Sequence, residues 1–176
     1  MKKSTRSFLA VIGFAVVSGA IAQQAQQQRP LPATHVRPGP AEVGRAPKMQ
    51  VHEATPSGAR TFELRFSEGD DILSGITELA QRERITAGYV TGIGGLAGAT
   101  LGWGDPEVGG IKVIPVEQKC ELVSLVGNIS MRDGTPYLHA HGVVSLSDGS
   151  TRGGHLIATR VNPLAEVTVV ATQFAQ

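Results

Sequence analysis

Thr61-Phe62-Glu63-Leu64-Arg65-Phe66-Ser67-Glu68-Gly69-Asp70-Asp71-Ile72-Leu73-Ser74-Gly75-Ile76 changes its hydrophobic period part-way along. In the first half Phe62, Leu64 and Phe66 alternate with polar residues, which puts them on one face of a strand. In the second half Gly69-Asp70-Asp71 opens a helix, with acids set against the positive end of its dipole. Ile72, Leu73, Ile76, Leu79 and Ala80 then mark a buried stripe, while Glu78, Arg82, Glu83 and Arg84 face water. The helix is expected to stop before Thr86.

Downstream the pattern is strand after strand. Residues 87–93, 99–103, 111–116, 121–131, 137–147, 154–161 and 165–174 all read as extended. Turn chemistry separates them: Gly94-Gly95, Gly104-Asp105-Pro106, Arg132-Asp133-Gly134, Asp148-Gly149 and Asn162-Pro163. Short loops between successive strands imply antiparallel neighbours. The expected class is α+β, a largely antiparallel sheet with one main helix packed against it.

Upstream the composition changes. Residues 23–57 are rich in Gln and Pro, and up to Lys48 they carry almost no large apolar side chains. Such a stretch buries too little surface to offset the entropy of ordering, so it reads as a flexible linker ahead of a domain at 58–176. Residues 1–22 read as a signal peptide. Lys2, Lys3 and Arg6 give a positive start, Phe8 to Val17 an apolar stretch, and Ala20-Ile21-Ala22 a small-residue site. Cleavage is expected after Ala22. The apolar run is short of the roughly 20 residues that span a bilayer, so no stable membrane insertion is expected after cleavage. The mature protein is placed in the periplasm or outside the cell.

The formal charge of the whole chain, +1, conceals an asymmetry. Residues 49–176 carry nine basic and fourteen acidic residues, a net of −5. That is a poor partner for nucleic acid, whose binding depends on Lys and Arg neutralising phosphates. The single cysteine, Cys120, cannot form an internal disulfide and lies in an apolar stretch, so it is read as buried.

Chemistry concentrates in three histidines. His35 and His52 lie ahead of the first strand, whereas His139, His141 and His155 fall close together. On a strand, residues two apart share a face about 6.5–7 Å apart, so His139 and His141 can turn toward one ion. Whether His155 joins them depends on register. A two-residue turn at Asp148-Gly149 would oppose His155 to Gly142 and send it to the other face. An odd loop or one bulge returns it, and Gly153-Gly154 is the expected bulge. The alternative is polar histidines on a solvated or intersubunit face. Glu166, Glu117 and Glu121 are distant candidates for acid–base work. Gly92-Ile93-Gly94-Gly95-Leu96-Ala97 fits a dinucleotide fingerprint on paper, but no helix opens after it. These glycines are expected to permit close strand packing.

The order of Thr61–Phe66, Gly69-Asp70-Asp71-Ile72-Leu73, Gly92-Ile93-Gly94, Ala99-Thr100-Leu101-Gly102, Leu125-Val126-Gly127-Asn128-Ile129-Ser130, His139-Ala140-His141 and Gly153-Gly154-His155-Leu156 resembles the plants-and-prokaryotes-conserved (PPC) domain family. The resemblance covers roughly residues 58–174. It implies an antiparallel sheet with a helix against it, assembly as a homotrimer, and kinship in fold with acetolactate decarboxylase, whose zinc is held by three histidines. It also implies that His139, His141 and His155 are the metal ligands, zinc first.

Three functions follow as expectations. The first is a trimeric zinc-binding domain that recognises a small molecule, with lyase or hydrolase activity. Asn128 and Arg152 are the candidates for orienting an anionic substrate. The second is a non-catalytic trimeric interaction module. The third is the DNA binding attributed to family members. Against it, the Arg-Gly-Arg-Pro core of the AT-hook, which plant members carry, is absent here.

Overall fold

The protein is described by a computed structural model that covers residues 30–37, 39–53 and 58–174. The expected signal peptide, its cleavage point after Ala22 and the first part of the expected linker lie outside the described residues. Among those described, no helix is long and apolar enough to cross a membrane.

The elements run β1 (His35–Val36), β2 (Gln50–Glu53), β3 (Arg60–Ser67), α1 (Ile72–Arg82), β4 (Ile85–Asp105), β5 (Gly110–Val116), β6 (Cys120–Arg132), β7 (Thr135–Ser145) and β8 (Thr151–Phe174). The strands form one sheet in the order β1-β5-β4-β6-β7-β8-β3-β2. Every pairing is antiparallel, and β4 also pairs with β8, so that β4, β6, β7 and β8 close on themselves. The α+β expectation holds.

The period change at residues 61–76 is realised as read. Phe62, Leu64 and Phe66 enter the core from β3, and Asp71 caps α1 by accepting from the Ser74 N–H at 2.7 Å. The second oxygen of Asp71 accepts from the Thr159 N–H on β8 at 2.8 Å, and Thr159 Oγ1 accepts from the Ile72 N–H at 2.9 Å. One buried carboxylate therefore starts the helix and pins it to the sheet. Burial raises the pKa of Asp71, opposed by the hydrogen bonds from Thr159 and Ser74.

Two expected turns are not turns. β4 continues through Gly94-Gly95, and β8 continues through Asn162-Pro163, which is a cis peptide. The two sites face each other: Gly94 opposes Ala165, Leu96 opposes Val161, and the register shifts between them. A Cβ on Gly95 would strike the Asn162 carbonyl, so the strands can pass only because a side chain is missing. There β4 exchanges partners, pairing with β6 up to Leu96 and with β5 from Ala99. The turn residues mark bends in two long strands. No helix follows the Gly92–Ala97 fingerprint, in keeping with the close-packing reading.

The expected linker is also corrected over the residues described. β1 pairs with β5, and β2 pairs with β3. Between them Ala46 is buried and Met49 packs on the core. The Arg45 N–H donates to Ser74 Oγ at 2.8 Å, and the Lys48 N–H to Asp70 Oδ1 at 3.2 Å. This segment covers a second side of α1 at Ser74 and Gly75, which are buried beyond the expected stripe, as is Thr77. Composition missed it because backbone pairing with the edges of β3 and β5, rather than apolar side chains, holds much of it. His35 lies 3.2 Å from Asp105 Oδ2, tying β1 to the end of β4. Cys120 is buried and unpaired, as expected.

Candidate metal and ligand site

Two hairpins place the site. The first joins β6 and β7 through Asp133 and Gly134, both at positive φ (50° and 77°), the pattern of a tight two-residue turn. It pairs Arg132 with Thr135, Asn128 with His139, and Val126 with His141. Those six residues share one face of the sheet.

The second hairpin decides the third histidine. Leu146 N–H donates to the Ser150 carbonyl at 2.8 Å, and Gly149 N–H to the Leu146 carbonyl at 2.9 Å. Gly149, at φ 80°, supplies the left-handed residue that such a turn needs. The loop is thus Ser147-Asp148-Gly149, an odd number, and Asp148 Oδ1 braces it by accepting from Ser150 N–H and Oγ. His155 consequently opposes His141, Gly154 opposes Gly142, and Gly153 opposes Val143 without interruption. The expected bulge at Gly153-Gly154 is absent from this pairing. The odd loop restores the register instead. Gly154 serves another purpose: a Cβ there would strike the Gly102 carbonyl of β4, whose Gly102 is paired with His155.

His139, His141 and His155 converge. Their ring centroids lie 5.2, 5.0 and 5.5 Å apart, and one nitrogen from each falls within 4.8 Å of the others. The Nε2 atoms of His139 and His141 are 3.3 Å apart. Metal–nitrogen bonds of about 2.05 Å in a tetrahedron give an edge of about 3.3 Å. Burial lowers the pKa of His139, helped by the charges of His141 and Arg132. Burial, then His139, His141 and Arg132, push His155 down to about 4. Both shifts favour the neutral ring, the form that ligates. The donor set and spacing fit a metal ion with three imidazole ligands.

The rings line an open depression of about 450 Å³, walled also by Trp103, Ile111, Arg132 and Tyr137. The Arg132 guanidinium carbon stands 3.5 Å from the centroid of the Tyr137 ring. Asn128 shares the face of His139 on the next strand and is exposed. Arg152 does not join the site. It opposes the buried Val144, on the face away from His155, and its charge acts on Asp148. Glu166 pairs with Arg65 at 3.2 Å, and neither it, Glu117 nor Glu121 lines the depression.

Arg132, Tyr137 and Trp103 were not singled out from the sequence. The signal for Arg132 was available. A two-residue turn at Asp133-Gly134 fixes which residues of β6 share a face with His139, and Arg132 is one of them.

The sequence profile of the Plants and Prokaryotes Conserved (PCC) domain matches residues 53–174. The chain belongs to that family. A solved plant- and prokaryote-conserved protein from Pyrococcus horikoshii is 31% identical and superposes with a TM-score of 0.62, over 74% of this chain and 85% of that one. A metal-containing protein from Archaeoglobus fulgidus is 29% identical with a TM-score of 0.60, over 70% of this chain and 83% of the other. A Ralstonia eutropha protein whose name suggests DNA binding is 28% identical with a TM-score of 0.63, over 70% and 84% of the two chains. The bifunctional protein GlmU of a Synechococcus strain is 29% identical over 123 residues, which is 69% of this chain. The chain spans only 18% of that protein's length.

Proposed function

We propose that this family member is an exported, zinc-binding domain that recognises a small molecule at the three-histidine cluster. The observation that carries the reading is the convergence of His139, His141 and His155 from two paired strands. Imidazole nitrogens suit zinc, and three protein ligands with no carboxylate among the described residues leave a position for water or substrate. A zinc ion held there would polarise a carbonyl or acidify a bound water, the chemistry of lyases and hydrolases. The chain's own part is to hold three imidazole rings on one sheet face and to wall the depression with Trp103 and Ile111. The metal-containing relative from Archaeoglobus fulgidus supports the reading.

Assembly as a homotrimer belongs to the same proposal. Tyr89, Ile93, Val126 and Val143 are apolar, exposed and on the face that carries His139 and His141, and Tyr89, Ile93 and Val126 are each about 60% exposed. An uncovered strip of this kind is what a subunit contact buries. Export rests on Lys2, Lys3, Arg6 and the apolar stretch to Val17.

The test is metal analysis of protein purified without chelators. Close to one zinc per chain, rebinding after removal, supports the reading. Sub-stoichiometric metal with no tight rebinding overturns it and leaves the non-catalytic interaction module. DNA binding, suggested by the name of the Ralstonia eutropha relative, is disfavoured by the net charge of −5 over residues 49–176.

A further inference from the structure

The depression beside the histidines has a one-sided charge. Arg132 is the charged side chain that lines it, and no carboxylate among the described residues does. Its guanidinium carbon stands over the Tyr137 ring, 3.5 Å from the centroid, a cation–π contact that helps to hold it in place. It stands on the face of His139, four positions along β6 from Asn128.

The rest of the wall is apolar. Trp103 is 56% exposed although it borders a concave surface, and Ile111 lies beside it. An indole left open next to a fixed guanidinium is a stacking surface beside an anion contact. A volume of about 450 Å³ admits a small ligand only.

We infer that the depression takes a small organic carboxylate with a flat apolar body: Arg132 meets its charge, Trp103 stacks on the body, and the histidine cluster closes the far side. This rests on the proposed ligand site but assigns it a substrate class and a different arginine from Arg152. Arg132 is a binding residue in this account.

The protein supplies its own probe, because Trp103 is the only tryptophan in the chain. Its fluorescence is followed while zinc-replete full-length protein is titrated with benzoate and, separately, with the neutral isostere benzamide. Benzoate is expected to perturb Trp103 saturably and to bind about ten- to a hundredfold more tightly than benzamide, as a charge-assisted contact provides. Arg132→Met is expected to erase that preference, and Arg132→Lys to retain part of it. Equal response to acid and amide, or a preference that survives Arg132→Met, overturns the inference. Zinc content measured on the same samples separates the two proposals. A preference for benzoate in protein that takes up no zinc upholds the anion site while the zinc reading fails. Bound zinc with no preference upholds zinc and sinks the anion site.

Discussion

His141 on β7 stands directly opposite His155 on β8, and the three-residue loop between the strands makes it so. The opposition turns a two-histidine motif into a cluster of three. Each ring is therefore expected to be needed for metal. His139→Ala, His141→Ala and His155→Ala should each weaken zinc binding by about a hundredfold or more, beyond the 10–100-fold typical of an outer-shell partner. His139 and His141 are exposed, so their replacement should move the metal-free stability by less than about 0.5 kcal/mol. Competition with a chelator reads the first quantity, and urea unfolding the second.

Asp71 should be a point of large structural cost. Its two oxygens accept from Ser74 and Thr159 in a buried setting. Asp71→Ala removes the helix cap, worth about 1 kcal/mol, and leaves the Thr159 N–H without a partner, a further 1–3 kcal/mol. A loss of about 2–4 kcal/mol in urea unfolding is expected.

The same carboxyl should titrate above its ordinary value of 3.8, because burial opposes its ionisation. With the folded pKa raised above the unfolded one, the added stability that its protonation contributes is full below pH 3.8 and is lost as pH rises through the folded value, while the cap and the bond from Thr159 remain. Carbon-detected NMR of the Asp71 carboxyl checks the direction. A midpoint at or below 3.8 contradicts it.

The N-terminal segment should stabilise the domain. Deleting residues 23–49 uncovers α1 at Gly75, where a Cβ would lie 2.7 Å from Met49 Sδ and 3.0 Å from Ala46 Cβ. It also strips the Ser74 hydroxyl and the Asp70 carboxylate of their partners from residues 45 and 48. A loss of about 2 kcal/mol or more is expected by the same unfolding measurement. An unchanged midpoint would mean that the segment rests on the domain without supporting it.

If the apolar strip is the subunit contact, charging it should release subunits without unfolding them. Ile93→Glu and Val126→Glu together are expected to shift the mass by light scattering from three copies to one, with circular dichroism unchanged. Retention of the trimer would move the contact to another face.

Much of this was legible in the chain, and the remainder was lost for identifiable reasons. The switch from β3 to α1 could be read because period and capping are local properties of residues 61–76. Gly94-Gly95 and Asn162-Pro163 carry turn chemistry, but long-range pairing turned them into matched bends in β4 and β8. The three histidines could be named, yet the loop that unites them could not be fixed from Asp148-Gly149 alone. The Leu146–Ser150 hydrogen bond adds the residue that sets the register. Arg152 lies close to His155 in sequence, but strand alternation puts it on the other face. Residues 30–37 and 39–53 were read by side-chain composition, which does not show the backbone pairing of β1 and β2.

X-ray absorption at the zinc edge puts the convergence of the three rings to the most direct test. The expected spectrum of the zinc-loaded protein shows three imidazole nitrogens at about 2.0–2.1 Å with one oxygen donor completing the shell. A shell of oxygens without imidazole scattering, unchanged by His155→Ala, would contradict the account.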